Sequence, residues 1–164
     1  GCIAITLYKE LIRLNVKCDI TATDISDKAL DIASLNAKEL IGESDSFHLI
    51  QSDLFNALDN NKRYDMIVSN PPYIPTKDIN ELEDEVRKHD PLIALDGGEA
   101  GLDIYHRLID ESRQYIKVNG WLYMEIGYNQ GEDITDIMKK NGYKDIRIYK
   151  DLAGLNRVIC GSFS

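Results

Sequence analysis

Helical and extended hydrophobic periods alternate along this chain from Ile3 to Gly161, and that alternation restricts its possible folds more than any other feature. Ile3 to Leu14, Asp27 to Leu40, Leu102 to Val118 and Gly131 to Lys140 carry helical spacing. In the second of these, Ala29, Leu30, Ala33 and Ala37 share one face, and Asp27 is the expected N-cap. Cys18 to Thr23, Ser46 to Gln51, Tyr64 to Ser69, Gly120 to Ile126, Tyr143 to Lys150 and Arg157 to Gly161 read as strands. Helices placed between strands imply an α/β fold whose mostly parallel sheet is covered on both faces. Only the last two strands lack room for a crossover helix, so they are predicted to pair antiparallel at one edge.

At 164 residues the chain is of single-domain size, and its 43% apolar content is enough for a real core. The net charge of −9 is spread along the sequence, leaving no basic face to neutralise phosphates, so a nucleic-acid partner is disfavoured. No apolar run is long enough to span a bilayer and no cleavable signal is visible, so no membrane partner is expected. Cys2, Cys18 and Cys160 are odd in number and far apart, mostly inside apolar runs. They predict buried thiols in a reducing, cytoplasmic setting, against a disulfide frame or a zinc site. His48, His89 and His106 show no metal-ligand spacing, so no metal is expected.

The predicted strand Tyr64 to Ser69 runs into Asn70-Pro71-Pro72-Tyr73. Two successive prolines cannot continue a ladder, since each lacks an N–H and has φ fixed. What remains is a stiff corner with carbonyl oxygens, the Asn70 side chain and the Tyr73 ring, at the carboxyl end of a strand. Ligands of open α/β sheets collect at that edge. Acceptors beside a flat ring suit a planar –NH₂ group, such as a carboxamide or the amino group of a base. A rigid turn with a surface tyrosine, or a polyproline-type ligand segment, is the alternative.

Two carboxylates end the preceding strands. Asp24, followed by Ile25, is placed to accept from a ribose diol, unless it caps the next helix. Asp53 can accept from an adenine amino group while Leu54 covers the ring; a plain strand-end turn is the alternative. The stretch from Ile74 to Gly101, with an acidic run from Asp78 to Asp90, is long for a compact domain and reads as a flap over the site. Within it Gly97-Gly98-Glu99-Ala100-Gly101 is better explained as a turn before a helix than as a phosphate loop.

Seven blocks stand in one order: Gly-Cys-Ile-Ala-Ile at 1–5, Thr-Asp-Ile-Ser at 23–26, Gln-Ser-Asp-Leu-Phe at 51–55, and Ile-Val-Ser-Asn-Pro-Pro-Tyr-Ile-Pro at 67–75. Ala-Leu-Asp-Gly-Gly-Glu-Ala-Gly-Leu at 94–102, Glu-Ile-Gly-Tyr-Asn-Gln-Gly at 125–131 and Asp-Leu-Ala-Gly-Leu-Asn-Arg-Val at 151–158 follow. Together they resemble the class I S-adenosylmethionine-dependent methyltransferases. More narrowly they are similar to the HemK/PrmC-type protein-(glutamine-N5) methyltransferases, which modify the Gly-Gly-Gln glutamine of peptide chain release factors. The last three blocks favour this branch over amino-group methyltransferases acting on adenine or guanine of nucleic acid, which share Asn-Pro-Pro-Tyr.

The resemblance implies a Rossmann-like fold and S-adenosyl-L-methionine as cofactor, with S-adenosyl-L-homocysteine as product. Gly1, Asp24, Ile25, Asp53, Leu54 and Asn70 would contact the cofactor. Asn70, Pro71, Pro72 and Tyr73 would bind the substrate, with Asn70, Pro71 and Tyr73 acting in catalysis. In that family a helical domain, a strand and a glycine-rich turn precede these blocks, and Gly1 matches the last glycine of the turn. Residues 1–164 thus read as a catalytic domain incomplete at its N-terminal side, with 74–101 as its substrate-side loop. A truncated, non-catalytic domain is the remaining alternative.

Overall fold

Two helix–strand pairs build the first unit, Gly1–Asp59, in a computed structural model that describes residues 1–82 and 91–164. Helix α1 is Cys2–Arg13, strand β1 Ile20–Asp24, helix α2 Asp27–Leu40 and strand β2 Phe47–Gln51. The strands pair in parallel, from Ile20 opposite Phe47 to Asp24 opposite Gln51, so α2 is the crossover of a β-α-β turn. Ile5, Ala33, Ala37 and Phe55 are buried in this unit. Small residues on α2 let α1 come close: a Cβ on Gly1 would lie 2.7 Å from the Cβ of Ala33.

Ser26, not Asp27, caps α2. Its backbone is extended and its hydroxyl accepts from Ala29 N at 3.2 Å. Asp27 is already inside the first turn, where its carboxylate accepts from Lys28 N at 2.8 Å. It complements the helix dipole there but sits one residue too late to cap. The expectation of buried thiols also needs correction. Cys160 is buried, whereas Cys2 is exposed and Cys18 is intermediate. The core side of α1 is carried by Ile5, and Cys2 falls outside it.

The second unit, Asn60–Ser164, holds β3 (Tyr64–Ser69), a one-turn helix α3 (Leu92–Leu95), α4 (Asp103–Ser112), β4 (Ile116–Glu125), α5 (Gly131–Lys140), β5 (Tyr143–Lys150) and β6 (Asn156–Phe163). The sheet order is β3-β4-β6-β5, with β3 and β4 parallel and β6 antiparallel to both neighbours. The expected antiparallel pair lies at the edge, but the reversed strand, β6, is one place in from it. The sheet expected from the sequence is thus found as two parallel strands in one unit and a mixed four-stranded sheet in the other, with β3, β4 and β5 running one way and β6 reversed.

The helix predicted through Val118 stops at Ser112. Bonds of the i→i+3 type close it, from Gln114 N to Glu111 O at 3.0 Å and from Tyr115 N to Ser112 O at 2.9 Å. Ile116 is β-branched and buried on β4, where packing on the sheet overrides the helical spacing, and Val118 follows it into the strand with its side chain exposed. Asn119, at φ 63°, then kinks the strand, and the register jumps from Tyr64–Ile116 to Met66–Trp121. Tyr105, Ile109, Leu122, Met124, Ile126, Ile134, Met138 and Ile159 are fully enclosed and form this unit's core. A hydroxyl pair, Ser112 with Tyr143 at 2.6 Å, is buried beside them.

The described parts of the expected flap are ordered. A 3-10 turn covers Thr76–Glu81, and Ile74 pairs in parallel with Asp96. Ile74 N donates to Leu95 O, Gly97 N to Ile74 O and Thr76 N to Gly98 O, all between 2.9 and 3.0 Å. Residues 83–90, which include most of the acidic run and His89, lie outside the described residues. Among the described residues no helix is long and apolar enough to cross a membrane. The cap assignment is checked by unfolding in denaturant. Ser26→Ala should lose about 1 kcal/mol and Asp27→Ala less, the reverse ranking restoring Asp27 as the cap.

Candidate active site

In the first unit the parallel register brings both predicted carboxylates to one sheet edge. Asp24 is the last residue of β1, opposite Gln51, and Ser52 N donates to Asp24 O at 2.9 Å. Asp53 therefore leaves β2 at the same carboxyl edge. Asp24 Oδ1 accepts from Ser26 N at 2.9 Å, which shapes the turn. Oδ2 accepts no hydrogen bond among the described residues and points to no helix cap. The Ile25 carbonyl is taken by the Gln51 side chain at 3.2 Å, while the Ile25 side chain is exposed. Leu54 has φ 49°, a left-handed conformation uncommon for a bulky residue. Sequence reasoning passed over Ser52, which is buried and accepts from Ala57 N at 3.0 Å, fixing the turn that carries Asp53 and Leu54. Gly1 packs on Ala33 as described above, which explains its lack of a side chain by helix packing.

In the second unit β3 ends at Ser69, opposite Met124, and the proline corner begins. Asn70 is exposed, and its side chain makes no hydrogen bond to the described residues. Pro71 is buried, while Pro72 and Tyr73 are half-buried. The Tyr73 hydroxyl donates to Glu125 Oε1 at 3.2 Å. Burial, followed by the Glu125 carboxylate, raises its pKa, so the phenol stays a proton donor at neutral pH and cannot serve as a base.

The three late blocks meet at this corner. Buried Gln130 donates from Nε2 to Tyr73 O at 3.0 Å and to Gly101 O at 3.1 Å, and accepts from Gly127 N at 2.9 Å. Gly101 has φ 71°, and a Cβ there would fall on the Tyr73 carbonyl oxygen. The diglycine block is thus a turn, as expected, and it also supports the corner. Tyr105 OH donates to Glu125 O at 2.7 Å, and burial pushes that phenol far above its ordinary range. Arg157 pairs with Asp151 at 3.1 Å. An open cleft of about 380 Å³ adjoins the corner, lined by Pro72, Leu92, Ile93, Asp96, Gly97 and Asp103 among others. Among the described residues no group of three or more His, Cys, Asp or Glu is placed to hold a metal. Gln130, Glu125 and Gly101 were not singled out from the sequence, although the blocks containing them were.

Asp151 orders the β5–β6 turn. It accepts from Leu155 N and Ala153 N, both at 3.0 Å, and from Arg157, and these bonds hold its carboxyl below the usual range. A carboxyl depressed in the folded state stabilises it above the unfolded value and loses that contribution as pH falls through the folded one. Thermal melts should therefore show wild type losing stability on acidification below about pH 4 more steeply than Asp151→Asn. Equal acid slopes would show that the turn does not depend on that charge.

The family model described as Methyltransferase small domain matches residues 1–87. The release factor glutamine methyltransferase of Koribacter versatilis is 39% identical over 161 residues, 98% of this chain and 54% of that protein. A bifunctional methyltransferase of Rickettsia felis is 42% identical over 159 residues, covering 97% of this chain and 29% of that protein. This chain thus spans about half the length of the Koribacter relative and less than a third of the Rickettsia one. Among solved structures, the ribosomal protein L11 methylase from Lactobacillus delbrueckii subsp. bulgaricus superposes with a TM-score of 0.66 at 21% identity. That likeness, over 100% of this chain and 65% of that one, concerns the fold. With a Rossmann-like α/β fold and a family model matched over half its length, this chain belongs to the methyltransferase small domain family.

Proposed function

We propose that this chain is the catalytic part of an S-adenosylmethionine-dependent enzyme that methylates a glutamine side-chain amide in a protein. The substrate we infer is the Gly-Gly-Gln glutamine of a peptide chain release factor. The single observation that carries this reading is Asn70: exposed, with no side-chain hydrogen bond to the described residues, at the carboxyl end of β3 on a corner braced from Glu125 and Gln130. The name of the Koribacter relative, release factor glutamine methyltransferase, agrees with it.

The residues present fit the cofactor. Asp24 Oδ2, without a hydrogen bond among the described residues, can accept from a ribose hydroxyl, with Ile25 exposed beside it. Asp53 and Leu54 stand on the neighbouring turn, for the adenine amino group and ring. The family resemblance carries over Gly1 in the same unit and, separately, Asn70 in the second unit. When bound, S-adenosyl-L-methionine supplies a methyl group on a sulfonium.

An amide nitrogen is a poor nucleophile because its lone pair is shared with the carbonyl. Asn70 Oδ1 and the Pro71 carbonyl each accept one N–H, which holds the –NH₂ group and favours the pyramidal nitrogen. The Tyr73 ring packs on the amide plane, its hydroxyl kept protonated and turned to Glu125. These contacts orient the amide and strengthen as the nitrogen pyramidalises, so no strong base is required.

Methyl transfer to a purified release factor, with cofactor affinity measured by calorimetry, tests the roles. Asn70→Ala should lower kcat by on the order of 100-fold while leaving cofactor affinity nearly unchanged. Equal losses in both would remove Asn70 from the substrate site. Tyr73→Phe keeps the ring and loses one hydrogen bond, so activity should fall only a few-fold and stability by about 1 kcal/mol. Asp24→Asn should instead weaken cofactor binding by roughly tenfold or more.

A further inference from the structure

We infer that Gln130 is a positioning residue for the reaction: its side-chain amide replaces the strand ladder that Pro71 and Pro72 abolish. The inference rests on the function proposed above and assigns a role to a residue that does not touch the substrate. The β3–β4 ladder ends at Ser69 opposite Met124. Beyond it two imino acids offer no N–H, so nothing in the ladder fixes the direction in which the Asn70 and Pro71 acceptors point. Among the described residues, the corner's main chain is tied to the β4 side by a side chain, Gln130 Nε2 donating to Tyr73 O.

The same nitrogen reaches Gly101 O, and Oε1 accepts from Gly127 N, two residues beyond the end of β4. One buried amide therefore clamps the corner between the 97–101 turn and the end of β4. The local sequence makes room for it: a Cβ on Gly101 would lie 2.8 Å from Nε2, and one on Gly127 2.7 Å from Oε1. Its orientation follows from its partners, since the flipped amide would turn its oxygen on two carbonyls. Both N–H groups are used, so Gln130 has no donor left for a ligand. Its part is to hold, and a displacement of the held atoms by about 1 Å is enough to cost on the order of 100-fold in rate.

Gln130→Glu is the decisive change. It keeps shape and the Gly127 bond but sets an acceptor against the Tyr73 and Gly101 carbonyls. In the full chain, assayed on a release factor with S-adenosylmethionine, kcat should drop on the order of 100-fold while cofactor Kd moves by less than about threefold. Amide hydrogen exchange should quicken at Ile74, Thr76 and Gly97, whose bonds brace the same corner, and stay unchanged at Leu122 and Met124 in the core. Gln130→Met, which deletes the donors without adding a charge, should show the same pattern in weaker form. A folded Gln130→Glu protein with wild-type kcat would overturn the inference. So would faster exchange throughout both corner and core, which marks a merely structural residue. If the wild-type chain transfers no methyl group, the functional reading falls. The exchange pattern then decides the clamp alone, localised loss supporting it and unchanged exchange refuting it.

Discussion

The buried amide of Gln130 is the constraint on which the candidate substrate corner depends. Burying an amide is tolerable only when its groups are bonded. Here both donors and one acceptor site are satisfied by three backbone groups from three separate segments. Any shift of Tyr73, Gly101 or Gly127 would leave a buried polar group unpaired, so the three hold one another in place. Stiffness at the corner thus has two sources. Fixed proline φ angles limit the chain locally, and one amide fixes it relative to the end of β4.

The phenol of Tyr73 adds the second attachment. Its ring is positioned by a bond to Glu125, whose own carbonyl is held by buried Tyr105. The corner is braced through main chain at one atom and through side chain at another, while Asn70 stays exposed. This division suits a reaction governed by orientation. On the proposed function Asn70 would meet an incoming amide, and it makes no hydrogen bond to the described residues, whereas the groups behind it are committed. The raised pKa of Tyr73 fits the same division, since a phenol that keeps its proton donates to a carboxylate and abstracts nothing.

In the first unit, parallel pairing does comparable work with fewer contacts. Because β1 and β2 run in the same direction, the two strand-end carboxylates leave at the same edge. A crossover helix capped by Ser26 then carries the chain away from that edge. The Asp24 turn uses one carboxylate oxygen, and the other accepts no hydrogen bond among the described residues, while the helix cap is supplied by Ser26.

Much of this could be read from residues alone. The bounds of α2, α5, β3 and β5 follow from hydrophobic period and from stop signals such as Asn141-Gly142, because those signals act within one or two turns of chain. The end of β3 at Ser69 was determined by sequence in the strict sense, since an imino acid has no N–H to pair wherever the chain folds. Boundaries decided by packing were not legible. The helix expected to reach Val118 ends at Ser112 because Ile116 gains more when buried in the sheet than in a helix, and exposed Val118 follows it into the strand. The candidate site divides in the same way. In the second unit the presented group, Asn70, is visible as a strand end, as Asp24 is in the first, whereas the braces of the corner are not. Gln130 is 57 residues from Tyr73 and Glu125 is 52, and hydrogen bonds across such distances leave no periodic trace in a sequence. Only tertiary structure decided that a glutamine among polar neighbours would be the buried clamp, because its worth lies in three carbonyl and amide groups that the fold brings to it.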